Sequence, residues 1–161
     1  MVVMCELCRY LCNVQTEGEF LCTTATYKDG KIENYKAKAS KYSEFKFEKI
    51  IFLANSGSAS ASEALMGAVL DYDKQSNKNI VKVVLDPSYE NNEVVYRTYG
   101  KGIMQTTFIN NLTGEAVKLT TAKICWPISK TCIHGTGLTP ALDNRIVANY
   151  TDNAIAFAQA I

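Results

Sequence analysis

Asn55-Ser-Gly-Ser-Ala-Ser-Ala-Ser-Glu63 joins the apolar run Ile50–Ala54 to a second apolar segment over residues 64–70. Small residues between a buried strand and a helix let the backbone turn sharply. They also leave a serine at the helix N-terminus, where free N–H groups point outward and favour negative charge. Such a serine can act as an N-cap, a role in which Ser is preferred. It can equally act as a nucleophile beside half of an oxyanion hole. A flexible linker does not fit, because both flanks read as buried.

Downstream stands Thr98-Tyr-Gly-Lys-Gly-Ile-Met-Gln105. The two glycines around Lys101 permit tight or left-handed backbone and the close approach of another segment. A Gly-Lys-Gly turn alone reads as a solvated surface lysine. A lysine held against a serine in apolar surroundings can instead serve as a general base. Gln105, four residues on, can orient an amine by accepting its hydrogen bond through the amide oxygen. Each motif is ambiguous alone, and the two together favour chemistry.

Taken in order, these motifs resemble the C-terminal processing (tail-specific) serine peptidases. The likeness continues through Leu119-Thr-Thr-Ala-Lys123, Trp126-Pro127 and Gly137-Leu-Thr-Pro140, so it runs from about residue 50 to 140. Carried over residue by residue, it implies Ser60 as nucleophile, Lys101 as general base, Gln105 as its orienting partner and the Ala61 N–H as one oxyanion donor. It further implies an α/β domain of the Clp protease/crotonase-like fold, a spiral of β-β-α units, with no metal or organic cofactor. Three departures stand out. The Ser60–Lys101 connection is longer than is usual for the family, and Ala141 stands where the family has Asp. The family's upstream Gly-Gly motif and PDZ domain are not found in these 161 residues. Residues 1–161 are therefore expected to form a partial catalytic domain.

Composition sets the outer limits. At 161 residues the chain fits one domain with a sizeable core. A net charge of +1, with scattered lysines, argues against nucleic acid or an acidic membrane surface as the main partner. Apolar runs stay short of the ~18–20 residues that cross a bilayer, so no stable membrane insertion is expected. The first residues lack the pattern of an export leader. The family usually works outside the cytoplasm, and the resemblance implies that location.

The chain has six cysteines. Cys5, Cys8 and Cys12 share one face of a helix read over residues 5–14, and Cys22 follows in the next segment. Cys-x-x-Cys can hold zinc, but His134 is the only histidine and no second ligand pair lies near. Core packing is therefore favoured over metal or redox roles. Cys125 and Cys132 bracket a segment read as strand–turn–strand, whose facing positions permit a disulfide in an oxidising compartment without requiring one.

Glu19–Tyr27 and Ile32–Lys38 flank Asp29-Gly30, a hairpin signal. Residues 39–45 read as a polar connection, 49–54 as a strand covered on both faces, 60–72 as a helix and 79–85 as a further strand. Residues 86–92 suit an exposed loop. Residues 93–96 lead into the lysine turn, and 105–109 with 116–124 form another hairpin. Thr151 or Asp152 is expected to cap a final helix.

The expected function is a serine endopeptidase acting near unstructured protein C-termini through a Ser–Lys dyad. The substrate partner is then a protein or peptide, and a homo-oligomer is compatible with the reading. His134 lies where the family has no catalytic residue, while Asp143 and Glu63 read as structural. The rival from another class is a non-catalytic peptide-binding or scaffold domain that keeps the peptidase fold.

Overall fold

Residues 1–12, 18–39 and 47–161 are described by the computed structural model. The chain runs α1 (Val2–Leu11), β1 (Glu19–Tyr27), β2 (Ile32–Lys38), β3 (Ile50–Ala54), α2 (Ala61–Ser76) and β4 (Val81–Leu85). It continues through β5 (Ser88–Glu90), β6 (Glu93–Val95), β7 (Ile103–Ile109), β8 (Ala116–Cys125), β9 (Ile146–Ala148) and α3 (Ala154–Ala160). The architecture is mixed α/β. Strands β2-β1-β8-β7 form an antiparallel sheet, and β3-β4-β9 form a parallel one.

The parallel pair β3–β4 needs a crossover, and α2 supplies it. α2 is buried over most of its length, from Glu63 to Asp73. Its small residues Ala64, Gly67 and Ala68 let neighbours come close. A β-carbon added at Gly67 would sit 2.0 Å from Trp126 Nε1, so the indole occupies the place of a side chain. α2 packs against α1, β1 and β4, and these elements share one apolar core. Phe20 and Tyr72 meet edge to face at 5.6 Å there, and the Tyr72 hydroxyl donates to Leu21 O.

Arg145 ties the end of α2 to the start of β9. Its guanidinium donates to both Asp143 carboxylate oxygens, to Asp73 Oδ2 at 2.9 Å and to Leu70 O at 2.9 Å. This ion network is mostly buried.

Several details differ from the sequence reading. The first helix begins earlier, at Val2, and Val14 lies outside the described residues, as does most of the polar connection. The segment read as an exposed loop contains the β5–β6 hairpin, whose Asn91 and Asn92 both take positive φ, the sign a type I′ turn requires. Asn153, not Thr151 or Asp152, caps α3 by accepting from Ala156 N. Thr151 instead bonds the buried Asn149. The strand that follows the turn after Trp126 does not form, since β8 ends at Cys125 and residues 131–133 join no sheet.

Cys5, Cys8, Cys12 and Cys22 are free and buried, within one core. Burial pushes the Cys5 thiol up to about 12. Cys8 is raised first by a thiol hydrogen bond with Cys12, and Cys22 first by one with Cys8. Thiolates are the reactive and metal-binding form, so this environment favours inert packing. Among the described residues no group of three or more His, Cys, Asp or Glu side chains has a metal-holding arrangement.

Candidate active site

Ser60 is the N-cap of α2 with φ 59 and ψ −113. A non-glycine residue there lies outside the common backbone wells, a strain of roughly 1–3 kcal/mol that the surroundings must hold. Part of the restraint is local: Ser60 N–H donates to Glu63 Oε2 at 2.9 Å. Ala61, first residue of α2, has an N–H with no intrahelical acceptor. Ser60 Oγ and that amide therefore sit together at the positive end of a helix.

Glu63 does more than cap. It is fully buried, and its two oxygens accept four hydrogen bonds. Oε2 takes Ser60 N–H and Lys101 N–H, each at 2.9 Å. Oε1 takes the Thr98 hydroxyl at 2.5 Å and Gly100 N–H at 2.7 Å. One carboxylate thus holds both motifs by their backbones. Tyr99 N–H donates to Ser58 O at 3.0 Å and adds a direct strap between the two loops.

The far side of the lysine turn is held as closely. Gly100 O accepts from Gly135 N–H, and Gly102 O from Ile124 N–H, both at 2.9 Å. Gly100 takes φ 86, and a β-carbon at Gly102 would lie 2.8 Å from His134 N. Both glycines flanking Lys101 are required, one for its dihedral and one for its contact. Beyond the turn the β7–β8 register slips between Met104 and Gln105. A bulge of this kind re-aims a side chain, and Gln105 lines the cleft.

Ser60, Ala61, Lys101 and Gln105 all border one cleft of about 250 Å³. Its remaining walls are largely apolar and include Ala64, Ile103, Met104 and Ile124, with Lys118 at the rim. Ser60 is exposed and Lys101 half-buried. From sequence alone Glu63 reads as structural, with no partner assigned to it. Its separation of three from Ser60 matches a capping box and was the available signal. Its bonds to Thr98, Gly100 and Lys101 had none, because they cross 35 or more residues.

The family model for Peptidase family S41 matches residues 13–143.

The chain belongs to peptidase family S41.

A CtpA-like serine protease, so named, of Staphylococcus saprophyticus is 38% identical over 112 residues, covering 67% of this chain and 18% of that protein. The S41 chain therefore spans about a fifth of the length of the curated relative it matches. A crystal structure from Bacteroides fragilis, described as that of an S41 protease, superposes with a TM-score of 0.56 at 12% identity. The match covers 96% of this chain and 36% of that one, and likeness at this identity speaks for the fold alone. Serine peptidase ancestry and a mixed α/β fold thus agree. No helix among the described residues is long and apolar enough to cross a membrane.

Proposed function

We propose that this S41 chain carries the serine and lysine of an endopeptidase site that hydrolyses peptide bonds near unstructured protein C-termini. Ser60 Oγ attacks the scissile carbonyl while Lys101, as the free amine, takes its proton. Lys101 then protonates the leaving amine, and water cleaves the acyl-enzyme. Gln105 orients the amine, and the Ala61 N–H supports the oxyanion. The observation that carries this reading is the shared cleft, which gathers all four residues from two distant motifs. No cofactor is required for these steps.

Residues 1–161 are read as part of a catalytic domain built as a Clp protease/crotonase-like spiral, within a longer protein. The Cys125–Cys132 disulfide supports an extracytoplasmic location, since such bonds persist in oxidising compartments. The test is to assay the full-length parent on an unfolded substrate, beside Ser60→Ala and Lys101→Ala versions. Loss of cleavage in both supports the dyad, and a rate left intact by either substitution overturns it. A folded parent that cleaves nothing and fails to label with a serine-directed probe supports the peptide-binding scaffold instead.

A further inference from the structure

We infer that the Cys125–Cys132 disulfide is a positioning element for Lys101, and that opening it slows the site without dismantling the fold. The inference rests on the reading of Lys101 as the base.

Two segments hold the outer side of the lysine turn. One is the end of β8, where Ile124 N–H donates to Gly102 O. The other is the stretch after Ile133, where His134 packs on Gly102 and Gly135 N–H donates to Gly100 O. Cys125 directly follows Ile124, and Cys132 directly precedes Ile133. The cross-link therefore joins the two supports of one turn. It closes a loop whose ends are 7 residues apart. Short loops restrict the unfolded chain less than long ones, so the main consequence is local restraint.

The rest of the loop is fixed independently. Asp71 Oδ2, on α2, accepts Ile128 N–H at 3.0 Å and Ser129 N–H at 2.9 Å. Thr23 Oγ1 donates to Cys125 O at 2.7 Å. With the bond open, these contacts keep β8 and the turn at 127–129 in place. The segment from Cys132 onward loses its cross-link to the end of β8 and keeps there, among the described residues, only the Trp126 N–H bond to Thr131 O at 2.9 Å. Ile133 borders the small void behind Ser60 and Lys101, so a shift there reaches the site directly.

Chemical access is one-sided. Cys132 is exposed and Cys125 is buried. The thiolate of a dithiol reductant would attack Cys132 Sγ, forming a mixed disulfide and expelling Cys125 as a thiolate that takes up a proton. The second thiol of the reductant then attacks its own sulfur in the mixed disulfide and releases Cys132. Two electrons and two protons pass to the protein, and the reductant leaves as a cyclic disulfide.

The test compares the full-length parent oxidised, reduced with dithiothreitol, and as a Cys125→Ser/Cys132→Ser double variant. The buried thiols are already reduced, so among the described residues the reagent meets one disulfide. We expect kcat to fall roughly 10–100-fold with KM within about twofold, since small misplacements near reacting groups have costs on this scale. Lys101 Cε and the Gly100 and Gly102 amides should shift in NMR spectra of ¹³C,¹⁵N-labelled protein, while circular dichroism stays native. Unchanged kcat, or unmoved Lys101 and Gly102 resonances in the reduced protein, overturns the inference. Reduction of the wild type decides the matter if the double variant does not fold. Activity surviving Lys101→Ala would sink the dyad, whereas the resonances would still decide whether the disulfide positions the turn.

Discussion

Replacing the Glu63 carboxylate with the carboxamide of glutamine keeps its shape and removes half of its acceptor capacity. The four donors it meets arrive two on each oxygen. In Glu63→Gln two of them face an NH₂ group in a fully buried place. Hydrogen bonds to charged groups contribute about 1.5–3 kcal/mol each, so the variant should lose roughly 3 kcal/mol. Urea denaturation measures this directly, and a loss below about 1 kcal/mol would show that Glu63 is not the tie described. On the proposed dyad, activity should fall as well, because Oε2 sets the backbones of both Ser60 and Lys101. Ser60 and Lys101 stand out as candidates in the sequence because their motifs are local. The Glu63 partners do not, because nothing in a short window shows which distant amides will converge on a buried acid.

At the scale of elements, α2 sets helix propensity against packing. Alanine is favoured over glycine inside a helix by about 1 kcal/mol. At position 67 the added methyl meets the indole of Trp126, which is 5% exposed and cannot swing into solvent. Overpacking of a filled core costs about 1–3 kcal/mol and sometimes more. We expect Gly67→Ala to destabilise by about 1–2 kcal/mol net, as read from a urea midpoint with unchanged slope. A gain in stability would mean that the ring moves freely. Elements with strong local patterns, such as β1 and β2 around Asp29-Gly30, stand where the sequence placed them. β9 left no such trace, since its three residues become a strand only by pairing with β4. The β5–β6 hairpin was hidden for a related reason. Its turn-forming asparagines were visible, while strands of three residues carry too little periodicity to read.

At the scale of the whole molecule, acid should act through the Arg145 network. The Arg145 hydrogen bond holds the Asp143 carboxyl below its usual value of 3.8, and partial burial opposes this. A group whose folded pKa is depressed stabilises above its unfolded value and loses that contribution as pH falls through the folded one. Stability from this pair is therefore full above about pH 4 to 5 and declines below. Urea midpoints measured from pH 6 to pH 2 should show this fall, and Asp143→Asn should flatten it. An unchanged slope in the variant would assign acid sensitivity elsewhere. The network joins the C-terminal part of α2 to the residues just before β9, an edge strand of the parallel sheet. From sequence alone Asp143 reads as structural, while no local pattern joins Arg145 to the distant Asp73.

Three of the four donors on Glu63 are main-chain amides, a group that every residue except proline possesses. At position 101 the latch consequently recognises a peptide bond and ignores the side chain attached to it. A selection for folded protein should accept most residues there, and a selection for cleavage should accept lysine. On the proposed dyad, descendants that keep the architecture while losing the reaction would lie a single codon change away. A chain so altered would, on that reading, keep the shape of a peptide cleft after it had ceased to cut.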